Sequence, residues 1–253
     1  MAAAKPCPLD RTAKERIREE LFRMMQATTP SAALRILRNT GLLAVILPEV
    51  DALAGLVPEP DTHHKDVFEH TLAVMDRVRA AAGPDAPELV FAAMLHDTGK
   101  PATRRLEPEG YTFRDHEKTG AELAAELCMR LRLSNVQTDR IRFAVLMSHR
   151  LSGYSAEWTD AAVRRAINEL GGGFTDVLTL SGADITTSDP DKLAARRAAL
   201  EEFTARADTL RSEHILRPRP PIDGAEIMQL LGLEKGGPEV GRAVKYLNDL
   251  IIA

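Results

Sequence analysis

The sequence predicts an all-α fold. Apolar residues recur at helical spacing through almost every segment, and capping residues, glycines and prolines separate the segments. The polar stretch 104–116 is the exception, because its Pro-Glu-Gly turn between short apolar runs indicates a small hairpin or an ordered loop. With 253 residues, 44% of them hydrophobic, the chain can bury a core as one large domain or as one domain with an appendage.

The first helices are predicted from their ends. Thr12 and Glu15 form a capping-box pattern ahead of an amphipathic segment. A second helix begins at Pro30, and Gly41 can end it in left-handed geometry. The apolar residues that follow predict two short buried helices, broken near Pro48.

The later helices carry similar signals. One begins at Asp66 and ends at Gly83, and the next begins at Pro87. Further helices are predicted at about 115–131, 135–149, 157–170, 173–187 and 191–212. The proline-rich run RPRPPI indicates a linker before two short helices joined by EKGGP. We therefore expect an N-terminal helical segment that packs on the core, a main helical domain, and a linker with a C-terminal helix pair, over residues 1–60, 61–212 and 213–253.

Charge and composition exclude several classes of protein. The net charge of −4 gives no overall nucleic-acid footprint, so such a surface would be a local patch. The first residues lack a secretory signal, and no run approaches the roughly 18 apolar residues that span a membrane. Cys7 and Cys128 make neither a disulfide framework nor a zinc-knuckle spacing. We expect a soluble cytoplasmic protein without a membrane partner, and both monomer and dimer remain open.

A histidine–aspartate pair, His96-Asp97, ends an apolar helix. His70 lies in the middle of the preceding predicted helix and Asp184 lies inside a later one. Neighbouring residues on one helix diverge by about 100°, so ligands of one ion must converge from several helices, as a bundle allows. These four side chains are candidate ligands of a divalent transition metal, since imidazole with carboxylate suits Mn, Fe, Ni, Co or Zn, with Mg as a further option.

Two more histidines extend this set. His116 begins its predicted helix and His149 ends its own, so both could hold a second ion with Asp97 as a bridge. Taken alone, a histidine of this kind is usually a satisfied core or surface residue, so one ion and two ions both remain open. Lys100, one turn past Asp97, is placed to neutralise a phosphate oxygen, and Arg104 could assist in substrate binding.

The ligand types predict hydrolysis of a phosphoester. A bound divalent ion lowers the pKa of its water, and the resulting metal hydroxide attacks phosphorus. The sequence offers neither a nucleophilic triad order nor a GxxxxGK[ST] phosphate loop. The expected catalytic residues are therefore Asp97 and Lys100.

The order H…HD…H…H…D resembles that of the HD family of metal-dependent phosphohydrolases. More narrowly, HHKDVFEHTLAVMDRV, AAMLHDTGKPAT, FRDHEKTGAELAAELCMRLRLS and the closing PPIDGAEIMQLLGLEKGGPEVGRAV are similar to the HD region and tail of bacterial tRNA nucleotidyltransferases and poly(A) polymerases. The resemblance covers nearly the whole chain. It implies an HD-domain helical bundle, activity on 2′,3′-cyclic phosphates or other nucleotide or RNA-end phosphoesters, and a substrate contact for His63.

One departure from that family limits the expected activity. Its nucleotide-adding head carries two aspartates spaced one apart after a GG turn, whereas the D-x-D of this chain, Asp189-Pro190-Asp191, indicates a helix cap. We therefore expect no nucleotide polymerisation by this chain alone. An alternative to the phosphohydrolase is an RNA-binding module that partners a separate tRNA nucleotidyltransferase, with tRNA as a possible ligand. An alarmone or deoxynucleoside triphosphate hydrolase ranks last, because no nucleotide-base pocket signature is evident.

Overall fold

A computed structural model describes residues 14–57, 66–108, 110–187, 189–212, 222–233 and 235–252. Within these residues helices dominate, and the predicted all-α class is confirmed. The helices are α1 (Lys14–Gln26), α2 (Pro30–Asn39), α3 (Leu42–Ile46), α4 (Pro48–Asp51), α5 (Val67–Ala82), α6 (Pro87–Leu95), α7 (Lys100–Thr103), α8 (His116–Arg130), α9 (Asn135–Leu146), α10 (Asp160–Leu170), α11 (Phe174–Asp184), α12 (Pro190–Ser212), α13 (Gly224–Leu230) and α14 (Pro238–Ile252).

The polar stretch after α7 is a two-stranded antiparallel hairpin. Strand β1 (Arg105–Glu107) pairs with strand β2 (Gly110–Thr112), and Leu106 stands opposite Tyr111. The sequence left a hairpin and an ordered loop open, and the structure has the hairpin. The predicted capping residue Thr12, the substrate candidate His63 and the linker residues 213–221 lie outside the described residues.

Contacts group the chain into two compact units. The first comprises Met1–Ser152 with Gly172–Leu193, and the second comprises Gly153–Gly171 with Ala194–Ala253. In the second unit, Phe203 of α12 is buried against the ring of Tyr154. The three-part division at residues 60 and 212 stays a prediction.

The first unit is organised around α6. Every residue from Leu89 to Leu95 is buried, so this helix is apolar on all sides and is surrounded by others. Helices α1, α5, α8, α9 and α11 pack against it. Polar residues can therefore be placed only at its ends, and the pair His96-Asp97 follows directly at its C-terminal end.

Capping residues place the helices that surround α6. Asp66 accepts a hydrogen bond from the backbone N–H of Glu69 at 2.7 Å and begins α5. Ser134 and Gln137 form a capping box at the start of α9. Gly41, at a φ of 74°, separates α2 from α3 in the left-handed conformation that the sequence predicts. The part of the chain that the structure describes contains no helix long and apolar enough to cross a membrane.

Two glycines allow the turn after α6 to approach α8. A Cβ added at Gly99 would overlap the backbone carbonyl oxygen of His116 and would lie 2.7 Å from the nitrogen of Gly120. A Cβ at Gly120 would lie 3.4 Å from the nitrogen of Gly99. Backbone therefore meets backbone here, and this approach brings Asp97 beside His116.

We predict that Gly99→Ala destabilises the protein by about 1–3 kcal/mol, because the new methyl group forces two backbone segments apart. The measurement is thermal unfolding followed by circular dichroism. Gly172→Ala is the matched control, since a Cβ there would meet nothing within 4 Å. A Gly99→Ala variant as stable as the control would show that the close approach is unimportant.

Candidate metal centre

Four ligand atoms from three helical regions converge at the C-terminal end of α6. His70 Nε2 lies 2.9 Å from Asp184 Oδ1 and 3.3 Å from His96 Nε2. Asp97 Oδ2 lies 3.6 Å from His70 Nε2 and 3.4 Å from His96 Nε2. The structure thus brings together the four residues that the sequence predicts for one ion. His70 lies in the first turn of α5, not in its middle, because the helix begins at Val67.

These distances suit ligands of a single divalent ion. Ligand atoms about 2.1 Å from one ion are separated by about 3.0 Å at octahedral corners and about 3.4 Å at tetrahedral corners. The separations between the imidazole nitrogens and carboxylate oxygens of this set fall between 2.9 and 3.6 Å. His70, His96 and Asp97 can therefore hold an ion with little movement of their side chains, and Asp184 lies 2.9 and 3.5 Å from the two imidazoles.

Hydrogen bonds at Nδ1 orient three of the histidine rings. His96 Nδ1 donates to the carbonyl oxygen of Ala93 at 2.7 Å, because a carbonyl can only accept. His116 Nδ1 donates likewise to Phe113 at 2.8 Å, and His70 Nδ1 lies 3.0 Å from the hydroxyl oxygen of Thr186. Each Nε2 is thereby directed to the centre, as outer hydrogen bonds do for metal-binding histidines.

A second group of ligand atoms surrounds the other oxygen of Asp97. Asp97, His116 and His149 offer atoms that lie within 4.8 Å of one another. Among the described residues, Asp97 Oδ1, His116 Nε2 and His149 Nε2 are buried without a hydrogen-bond partner. Buried polar atoms are nearly always satisfied, so three unsatisfied atoms close together fit the ligands of a metal ion. His149 lies in a turn three residues beyond Leu146, the last residue of α9, whereas the sequence predicts that His149 ends this helix.

The electrostatics of the centre keep its carboxylates ionised. Burial raises the pKa of Asp97, but the His96 imidazole and the Lys100 amine outweigh burial and lower this pKa to about 2. Burial lowers the pKa of His96, but the Asp97 and Asp184 carboxylates outweigh burial and raise it to about 9. For Asp184 too, hydrogen bonds from His70 and His96 overcome burial, so its pKa lies well below the usual value. A divalent cation would compete with the imidazole protons for these carboxylates.

His149 differs from His96 in its charge. Burial lowers the pKa of His149, and no neighbouring carboxylate makes up for this. Its imidazole is therefore neutral at pH 7, which is the form that binds a metal ion.

Of the two cationic residues predicted to bind substrate, Lys100 lies beside the centre. Lys100 Nζ donates to Asp97 Oδ2 at 2.7 Å. Arg104 follows the last residue of α7, and its guanidinium carbon lies 3.6 Å from the centroid of the Tyr111 ring. Sequence reasoning missed Tyr111, Phe113 and Thr186, because their contacts join separate segments and no local pattern announces them.

The comparisons with known families agree with this geometry. Residues 67–171 match the HD domain family, a helical bundle whose members bind divalent metals. Residues 1–53 match the family described as "Probable RNA and SrmB- binding site of polymerase A". The chain therefore contains an HD domain at residues 67–171.

Its wider similarity is to bacterial tRNA nucleotidyltransferases. A CC-adding tRNA nucleotidyltransferase of Thermus thermophilus is 36% identical over 244 residues, 94% of this chain and 52% of that protein. An A-adding tRNA nucleotidyltransferase of Deinococcus radiodurans is 32% identical over 246 residues, 93% of this chain and 54% of that protein. A multifunctional CCA protein of Methylococcus capsulatus is 32% identical over 250 residues, 95% of this chain and 54% of that protein. The chain thus spans about half the length of these relatives.

We predict that Asp97→Asn abolishes metal binding, because it removes the charge that both ligand groups share. His149→Ala should lower the metal content without abolishing it, since His149 belongs to one group alone. Elemental analysis of the dialysed proteins measures both effects. Asp176→Asn is the control, because Asp176 lies on the same helix as Asp184 but pairs with Arg140. Full metal content in Asp97→Asn would refute the ligand assignment.

Proposed function

We propose that this chain is a metal-dependent phosphohydrolase that acts on nucleotide or RNA phosphoesters, including 2′,3′-cyclic phosphates. The observation that carries the proposal is the position of Asp97, which is fully buried with one oxygen toward each ligand group. A buried carboxylate shared between two sets of imidazoles suits two divalent ions that act on one phosphate. The HD domain match and the absence of a nucleophilic triad from the described centre support the same reaction class.

The residues fit the ion that this reaction needs. His70, His96, Asp97 and Asp184 would hold one divalent cation, drawn from Mn, Fe, Ni, Co, Zn or Mg, and His116 with His149 would hold a second. When bound, such a cation supplies a water nucleophile at neutral pH and stabilises charge on phosphoryl oxygens.

Lys100 is the residue proposed to contact the phosphate. Asp97 accepts a hydrogen bond from the Lys100 amine, and the Phe113 ring lies 5.8 Å from its nitrogen, so the amine is held at the centre. Within the described part of the chain, Asp97 uses one of its three N–H groups, which leaves two to donate to phosphoryl oxygens. In this position the amine stabilises the charge that develops on those oxygens during attack.

The similarity to RNA enzymes favours an RNA end as the source of the phosphoester. The relatives are named as tRNA nucleotidyltransferases and a CCA protein, and the first 53 residues match an RNA-binding family. Cyclic 2′,3′-phosphates occur at RNA ends, since their formation requires the 2′-hydroxyl that distinguishes RNA from DNA.

The test of the proposed function is hydrolysis of 2′,3′-cyclic AMP by the purified protein with Mn²⁺ or Ni²⁺. We expect turnover by the wild type and a decrease of about 100-fold or more in Asp97→Asn, because the bridging charge is lost. Asp176→Asn should retain the wild-type rate. Absence of turnover with every added metal would refute the proposal.

We also predict that Lys100→Met lowers kcat by about 100-fold, because one donor to the developing phosphoryl charge is removed. Its metal content should stay at the wild-type level, which separates this effect from loss of a ligand. Lys118→Met is the matched control, since Lys118 is exposed and pairs with Asp115 at 2.6 Å. An unchanged kcat in Lys100→Met would remove its proposed role.

A second candidate function is an RNA-binding module that partners a separate tRNA nucleotidyltransferase. The observation in its favour is the RNA-binding family match over residues 1–53, in a chain that covers about half of its relatives. This function predicts tRNA binding that is equal in wild type and Asp97→Asn, together with no hydrolysis by either. A filter-binding assay with tRNA on the same two proteins therefore distinguishes the two functions.

A further inference from the structure

Two cations at α7 lie over two aromatic rings of the hairpin. Lys100 Nζ is 5.8 Å from the centroid of Phe113, and the guanidinium carbon of Arg104 is 3.6 Å from the centroid of Tyr111. Lys100 and Arg104 are four residues apart, which is about one helical turn. Tyr111 lies in β2, and Phe113 directly follows that strand. Lys100 and Arg104 are thus a pair of cations, each over its own aromatic ring, and Lys100 also donates to Asp97.

Among the described residues, the contact of the Arg104 guanidinium is with an aromatic ring and not with a carboxylate. Among its described contacts, the Tyr111 ring is the one that involves the guanidinium, and Arg104 Nε is buried without a hydrogen-bond partner. The neighbouring Arg114 is different, because its guanidinium pairs with Glu107 at 3.2 Å. An aromatic face fixes the plane of a guanidinium but leaves its N–H edge available, whereas a carboxylate occupies that edge.

An available guanidinium edge in a fixed plane suits a phosphate. Arginine donates two parallel hydrogen bonds to phosphate oxygens, and such charge-assisted bonds are stronger than neutral ones. Lys100 donates to Asp97 and is proposed to contact the reacting phosphate, which leaves Arg104 for a different phosphate. Because Lys100 and Arg104 lie over different rings, the two cations offer two separate positions for an anion.

We propose that Tyr111 positions Arg104 to bind a second phosphate of the substrate, the internucleotide phosphate next to the reacting terminal phosphoester. The inference rests on the proposed function and deepens it: the substrate is the end of an oligonucleotide, and a mononucleotide lacks the group that Arg104 takes. Arg104 is then a specificity residue, and Tyr111 is a positioning residue that acts through Arg104.

The test compares two dinucleotides that end in a 2′,3′-cyclic phosphate. One has a normal phosphodiester between its nucleosides, and the other has an uncharged methylphosphonate at that position. For the wild type we expect a KM about tenfold lower for the charged dinucleotide, since a charge-assisted hydrogen bond of about 1.5 kcal/mol corresponds to that factor. The readout is the ratio of the two KM values for each variant, which does not depend on its absolute rate.

The variants separate recognition from folding. Arg104→Ala should bring the ratio close to one, and Tyr111→Leu should lower it to about threefold or less, because leucine has no aromatic face. Tyr111→Phe keeps the ring and should keep the wild-type ratio. Arg114→Ala also removes one positive charge from the hairpin region. This variant should keep the wild-type KM ratio, because Arg114 is already paired with Glu107.

Two results would overturn the inference. One is a wild-type ratio in Arg104→Ala, and the other is a ratio of one in the wild type. A lower KM for a mononucleotide with a 5′-diphosphate than for the charged dinucleotide would assign Arg104 to a pyrophosphate and would also overturn it. If the wild type turns over neither the two dinucleotides nor 2′,3′-cyclic AMP with any added metal, the proposed function fails. Both dinucleotides then remain intact in the presence of the protein. The ratio of their Kd values, measured by calorimetry, then tests the inference separately.

Discussion

The structure of the first unit depends on the burial of Asp97. Its carboxylate is fully inaccessible to solvent and ionised, and the desolvation of such a charge costs several kcal/mol unless partners surround it. His96 and Lys100 supply part of that compensation in the folded chain. Asp97 Oδ1 has no hydrogen-bond partner among the described residues, so the compensation is incomplete. A divalent cation between the two ligand groups would complete it, and its binding would stabilise the fold as well as equip the centre.

The remaining architecture places partners around this charge. Because α6 is apolar on every side, its C-terminal end is the first point at which a polar residue can be accommodated. Gly99 then lets the following turn contact the backbone of α8, which brings His116 into range. Backbone carbonyls fix the rings of His96 and His116. Packing, backbone approach and hydrogen bonding thus act together on one carboxylate, although they come from distant parts of the sequence.

The sequence predicts most of the helices, since they depend on local pattern. The structure brings the four candidate ligands together, and their role as ligands stays a prediction. The errors are at helix ends and at the short helix α7, which the sequence analysis does not predict. The sequence predicts that α9 extends to residue 149, but this helix ends at Leu146. Likewise, α11 ends at Asp184 and not at the predicted residue 187. Contacts between separate segments were beyond prediction. Two examples are the hydrogen bond between Thr186 and His70 and the ring contact between Tyr111 and Arg104. Both contacts depend on how the chain folds back, and no residue spacing in the sequence encodes that path.

The energetics of the centre bear on the choice between an enzyme and a pure RNA-binding module. Each unsatisfied buried polar atom costs about 1–3 kcal/mol, and an apolar replacement of similar shape would remove that cost. Asp97 Oδ1, His116 Nε2 and His149 Nε2 are three such atoms in the described part of the chain, and they surround a single point. Binding of RNA at the surface does not satisfy atoms buried beneath it. Ligation of a metal ion satisfies all three at once, so the interior of the protein favours a metal-binding protein over a module that only holds RNA.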